Sequence, residues 1–269
     1  MKPSEPSNQI KKINTYQQQL YEDYEKSTAI SLVNQYSTLL ETFKEREVLK
    51  ILDVGGASGY FAVALANYFA DKTCKIVVID PTKYTTWRGG VNTLNNSVLN
   101  NHVVFIEDSV ENLDKYFSEN TFDLIFANRA FHHFINKTWK KTMMSISDSM
   151  AQIVRALKDD GRFCITDYFY NGRIFDTSSS KIIYNLTSCK NPLLVSVFRK
   201  IESKSAGIGV CFLSKKMWLN LFDKNKLTIE TTNEGCQVKY HGVKAIVYKL
   251  FLLIKNCQED AVMILKKRI

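Results

Sequence analysis

Five short apolar runs punctuate the first two thirds of the chain: VLKILDV, KIVVID, VVFIE, FDLIFAN and RFCITDYF. Near-continuous apolar character over such lengths suits strands covered on both faces, rather than strands with one wet side. Between the first and second runs, and again between the fourth and fifth, apolar positions recur at helical spacing, as in FAVALANYF. This alternation predicts β-α-β units, a parallel sheet with helices on both faces and right-handed crossovers. Ahead of it, Ile13, Tyr16, Leu20, Tyr24, Ile30, Val33 and Leu40 also fall at helical spacing. They predict a helical N-terminal cap over residues 10–47, preceded by a disordered stretch of residues 1–9 rich in Pro, Ser and Asn.

After Tyr170 the regularity lapses into a polar and aromatic stretch. Residues 171–215 therefore read as a helical insertion, a lid over a substrate site. The remainder, residues 216–269, is read as the C-terminal part of the core. It predicts a helix around Lys215 to Asp223, a strand KLTIETTNEG and a long strand near Val243 to Ile254.

Composition narrows the class without naming a function. With 45% hydrophobic and 23% charged residues the chain reads as an ordinary soluble globular protein. Its six cysteines are scattered, with no C-x-x-C pair, so they read as reduced thiols in a cytoplasmic protein with no metal site. The polar start MKPSEPSNQIKK lacks a signal peptide's apolar segment, and AIVYKLFLLI is too short and lysine-interrupted to span a bilayer. The net charge of +9 is uneven, with 13 Lys+Arg against 16 Asp+Glu in residues 1–134 and 23 against 11 in residues 135–269. A basic half suits an anionic substrate, a carrier protein or nucleic acid, and equally a solvated surface.

The candidate chemistry begins at ILDVGGASGY, where a buried strand ends in Asp53 and then Gly55, Gly56 and Gly59. Glycines at a strand exit let the chain turn sharply and let a ligand approach the backbone. In an open parallel sheet, ligands bind beyond the carboxyl ends of the strands. Asp80, closing the second strand, can accept both hydroxyls of a ribose, and Asp108 with Ser109, closing the third, can meet an adenine edge. The spacing G-G-x-x-G after an acid departs from the dinucleotide pattern, and Asp53 would repel phosphate while suiting an ammonium group.

The series LDVGGASG, VVIDP, EDSV, FDLIFANRAFHHF and IVRALKDDGRFCITDYF resembles the ordered motifs of class I S-adenosylmethionine-dependent methyltransferases, over roughly residues 48–170. Ala57 stands where that pattern has its middle glycine. The resemblance implies a doubly wound, seven-stranded, mostly parallel Rossmann-like sheet whose last two strands form an antiparallel edge. It implies S-adenosylmethionine as cofactor, with Asp53, Gly55, Gly56, Ala57 and Gly59 around the methionine part. Asp80 would then hold the ribose, Asp108 and Ser109 the adenine, and Asn128 the methionine amino group.

Acceptor chemistry is less defined. His132 and His133 follow the fourth strand and can take a proton near neutral pH, or else serve the structure by bonding to the next loop. Adjacent residues point differently, so only one is expected to face a substrate. Arg129 offers a cation to an anionic acceptor, or a surface contact. Asp167 and Tyr168 either orient substrate or form a satisfied strand-end pair. Tyr16, Tyr21, Tyr24, Phe169, Tyr170, Phe175, Tyr184 and Phe198 are candidates for pocket walls, with Tyr21 taken as a substrate residue, or for a helical core. The leading expectation is O-methylation of a small aromatic or hydroxylated metabolite in biosynthesis. The alternatives are an RNA or protein methyltransferase, disfavoured by the lack of an RNA-binding module, and a cofactor-binding protein that catalyses a non-methylating reaction such as a cyclisation. The apolar C-terminal strand and aromatic cap leave room for a homodimer.

Overall fold

The computed structural model describes residues 23–81, 103–193, 195–196, 207–247, 249 and 252–268. The expected disordered stretch and Tyr16, Tyr21 and Phe198 lie outside these residues. The chain enters through a helix at 23–35 (α1) and a short helix Ser37–Phe43 (α2), then alternates. The elements are β1 Val48–Val54, α3 Tyr60–Tyr68, β2 Thr73–Ile79, β3 Val103–Ile106, β4 Phe122–Asn128, α4 Trp139–Ala156 and β5 Leu157–Gly172. They continue as α5 Asp176–Ser188, α6 Lys215–Lys224, β6 Leu227–Asn233, β7 Cys236–Gln237, α7 Gly242–Ile246 and β8 Ile254–Lys267.

The sheet order is β3-β2-β1-β4-β5-β8-β6, with β7 paired to β8. The pairs among β1 to β5 are parallel, as their unbroken apolar runs predict. Successive residues face opposite layers. Leu52, Val54, Ile125 and Phe163 pack with Ile146, Met150 and Ile153 of α4 and Trp218 of α6. Leu49, Ile51, Leu124 and Phe126 meet Tyr36, Leu40 and Phe43 of the cap and Phe61 and Leu65 of α3 on the other face. The strand order reverses direction beside β1, which opens a crevice at the carboxyl ends of β1 and β4.

One expectation is corrected at the C-terminal end, and the expected antiparallel edge is present there as the β6–β8 pair. The long strand is Ile254–Lys267 rather than Val243 to Ile254, where residues 242–246 are helical. Only β8 runs against the rest. It lies between β5 and β6, antiparallel to both, so the outermost strand β6 runs the same way as β5. An interior position explains the run Ala261, Val262 and Met263, buried on both faces.

At the opposite end of the strands, fully buried Asp123 holds their starts together. It accepts from Arg46 Nη1 at 2.5 Å, Lys158 Nζ at 2.7 Å and the Lys50 backbone N–H at 2.9 Å. Among the described residues no helix is long and apolar enough to cross a membrane.

Candidate active site

The glycine turn leaves β1 beneath the crevice, anchored by Gly55 N–H donating to Ile79 O at 2.8 Å. Gly59 holds φ +78°, and a Cβ there would lie 2.6 Å from the Phe105 ring, so both conformation and space demand glycine. A Cβ on Gly56 would lie 2.4 Å from Asp53 Oδ2, which puts the carboxylate directly under the turn. Ala57, the departure from the three-glycine pattern, is left-handed at φ +43°, a conformation that costs a non-glycine residue about 1 kcal/mol or more.

Around this turn lies a cavity of about 350 Å³, within the range of small-molecule sites. Asp53, Gly55, Gly56, Ala57, Asp80, Asn128, Arg129 and His133 all line it. Asp53 is 1% exposed, and its Oδ2 has no hydrogen-bond partner. Burial, and then the nearby charge of Asp80, push its pKa up to about 7. Asp80, also buried, accepts from Ala57 N–H at 3.2 Å and so ties the end of β2 to the turn.

Asn128 is oriented from behind. Thr166 Oγ1 and Tyr36 Oη lie 2.7 Å apart, and Tyr36 donates to Asn128 Oδ1 at 3.0 Å. The amide nitrogen is left buried without a partner. The side chain therefore offers a ligand an unused donor, its oxygen already accepting from Tyr36. An unpartnered carboxylate oxygen and an unpartnered amide N–H on one cavity suit the ammonium and carboxylate of an amino-acid group.

The two histidines part company on a short 3₁₀ turn, Phe131–His133. His132 turns inward, where its Nδ1 donates to Asp167 Oδ1 at 2.8 Å and its ring stacks on Phe212 at 5.0 Å. Its backbone carbonyl accepts from Cys211 N–H at 2.8 Å, which is a contact to the insertion. His133 faces the cavity, its ring centroid 4.1 Å from that of His132. Desolvation, and then His132, push its pKa down to about 4 against the smaller pull of Asp167. The ring's opening to the cavity softens that shift but keeps the imidazole neutral at physiological pH.

Other expected residues fall elsewhere. Asp167 and Tyr168 lie outside the cavity lining, Asp167 engaged by His132 and by the Tyr168 N–H at 2.8 Å. Asp108 and Ser109 also lie outside it. Asp108 accepts from Ser109 N–H, Asn112 Nδ2 and Tyr116 Oη, which hold its carboxyl below the usual range. Phe169, Tyr170 and Tyr184 are buried, while Phe175 is exposed.

Sequence reading missed a third wall. Glu25, Thr28 and Leu32 of α1 join Tyr24 in lining the cavity. Their spacing of three and four puts them on one helix face, and a polar pair on the face of the buried Leu32 was the available signal. Phe134, beside the histidine pair, also lines the cavity and was not singled out.

Residues 52–165 match the family model described as a methyltransferase domain. A curated relative, an uncharacterized methyltransferase YcgJ of Bacillus subtilis (strain 168), is 26% identical over 131 residues, spanning 49% of this chain and 45% of the relative. Among solved structures, YcgJ from the same bacterium superposes with a TM-score of 0.55 at 16% identity, covering 90% of this chain and all of that one. The [4+2]-cyclase SpnF gives 0.55 at 14%, covering 88% and 80%. Geranyl diphosphate C-methyltransferase from Streptomyces coelicolor A3(2), in complex with S-adenosyl-L-homocysteine, gives 0.55 at 12%, covering 87% and 77%. At these identities the structures speak for the fold alone.

Proposed function

We propose that this chain, whose residues 52–165 match a methyltransferase-domain model, is a class I S-adenosylmethionine-dependent methyltransferase, and that it methylates a small acceptor in the cavity over the glycine turn, with a hydroxyl oxygen favoured. The observation that carries this reading is the meeting of Asp53, Asp80, the unpartnered Asn128 amide and neutral His133 around one cavity at the switch point of the sheet.

When bound, S-adenosylmethionine would supply the activated methyl group on a positively charged sulfur. Asp53 would accept from the cofactor ammonium, the Asn128 amide would donate to its carboxylate, and Asp80 would accept from the ribose hydroxyls. Neutral His133 takes the acceptor's proton on its free ring nitrogen and passes it to solvent. Asp167 and His132 form the wall behind His133. Helix α1 closes the cavity against water.

Calorimetric titration is expected to show tight binding of S-adenosylmethionine and none of NAD. Asp80→Ala should weaken the first by about 2 kcal/mol, the cost of a lost charged acceptor. Binding of neither ligand by folded protein would remove the reading. With an acceptor in hand, His133→Gln is expected to lower kcat about a hundredfold at unchanged cofactor affinity. Because desolvation, and then His132, hold the His133 pKa below the ordinary imidazole value, its own titration should leave the wild-type rate level through neutrality, with a loss only at more acid pH. A rate lost near pH 6.5 would assign the proton transfer to another group.

A further inference from the structure

We infer that Asp260 sets the charge of the acceptor. By engaging the guanidinium of Arg129 it removes the cation lining the cavity from use, and so fits the site to uncharged or cationic hydrogen-bond donors, hydroxyls and amines, while excluding carboxylates and phosphates. The inference rests on the proposed methyl-transfer reading of this cavity and names the substrate class for it.

Arg129 is the Lys or Arg among the described residues that lines the cavity, and all its nitrogens are engaged. Nε donates to Asp260 Oδ1 and Nη2 to Asp260 Oδ2, both at 2.7 Å, and Nη1 donates to Tyr24 Oη at 3.2 Å. This two-toothed fork is the geometry in which a guanidinium binds a ligand carboxylate, and Asp260 already fills it. Both residues are left-handed, Arg129 at φ +53° and Asp260 at φ +54°, and the β5–β8 register slips beside Asp260. Two non-glycine residues in that conformation, facing each other across 131 positions of sequence, mark a pairing the fold is built to hold.

The other charged groups on the cavity are acids. Asp53 and Asp80 suffice for the cofactor's ammonium and ribose. Glu25 remains, with a buried Oε2 that has no partner, an acceptor in need of a donor. Lys26, its neighbour on α1, stands over the Tyr60 ring at 5.4 Å and lines a separate groove. An anionic acceptor would thus meet uncompensated acid and a cation already taken.

The test uses benzylamine, benzyl alcohol and benzoate, matched in size, titrated to about 20 mM, where ligands this small bind. Binding is read by calorimetry and by the NMR signals of the His133 ring, with and without saturating S-adenosylhomocysteine. Wild-type protein is expected to bind the amine and the alcohol at least about tenfold more tightly than benzoate. Asp260→Asn, which tolerates the left-handed backbone, should raise benzoate affinity about tenfold, and adding Arg129→Gln should abolish that gain. Equal or tighter wild-type binding of benzoate, an unchanged order in Asp260→Asn, or silence of His133 toward all three probes would overturn the inference. Failure of S-adenosylhomocysteine to bind would instead remove the methyl-transfer reading, since the charge preference is read separately without it.

Discussion

Replacing Asp53 by Asn is expected to make the protein more stable and to weaken its hold on the proposed cofactor. The carboxyl is 1% exposed, one of its oxygens has no partner, and its pKa stands at about 7 because burial and Asp80 both disfavour its charge. In the unfolded chain it ionises near its ordinary value of 3.8. Between about pH 4 and 7 the folded protein therefore holds a proton that the unfolded chain has released. Stability falls as pH rises through that window, and the penalty is complete above it. Three pKa units would correspond to about 4 kcal/mol, but an Asn amide keeps its own unmet donor in the same place. The net gain of Asp53→Asn at pH 8 should be about 2 kcal/mol, or roughly 5 °C in Tm, and should vanish toward pH 4.

The same substitution removes the acceptor for the cofactor's ammonium, and affinity should fall about a hundredfold. Wild-type affinity should itself weaken below about pH 7, as the carboxylate takes up the proton that the bound cation had displaced. Thermal unfolding at two pH values and calorimetry on both proteins check the two halves together. A variant less stable than wild type, or one that binds as tightly as wild type, would show that Asp53 is satisfied in a way its unpartnered oxygen denies.

Legibility in the sequence followed the range of the interactions involved. The strands β1, β2, β4 and β5 were readable because burial on both faces writes itself as an apolar run, and the turn was readable because Gly59 has no substitute at φ +78° against Phe105. Neighbouring residues carry both signals. The place of β8 was not readable, since its residues Cys257–Asp260 are largely polar and only its pairing with β5 and β6 makes it interior.

The division of labour between His132 and His133 followed the same rule. That adjacent residues diverge was clear, but which one turns inward is decided by Asp167, 35 positions away. Arg129 read either as a cation for an anionic acceptor or as a surface contact, and the choice was not legible because its partner Asp260 lies 131 positions on. Charge signs are local, and charge compensation is not.

Asp123 carries that distinction to an expected result opposite to that of Asp53. Both acids are fully buried on neighbouring strands, but Asp123 sits at the start of β4, about 17 Å along the strand from Asn128 and the cavity. Where Asp53 lacks a partner, Asp123 has Arg46, Lys158 and the Lys50 N–H, and its negative charge is what those donors require. Asp123→Asn presents an amide N–H₂ to donors and leaves two cations without their common partner. Breaking a buried pair from one side is costly, and because Arg46 and Lys158 are partly exposed the loss should lie near the low end, about 3 kcal/mol. That is roughly 8 °C in Tm. Cofactor affinity below the melting range should not change, because no residue of the Asp123 network lines the cavity. The pair of variants thus separates buried charge kept for ligand from buried charge kept for fold: Asp53→Asn gains stability and loses binding, and Asp123→Asn loses stability and keeps binding. If both moved stability the same way, burial alone, rather than partnering, would govern these carboxylates.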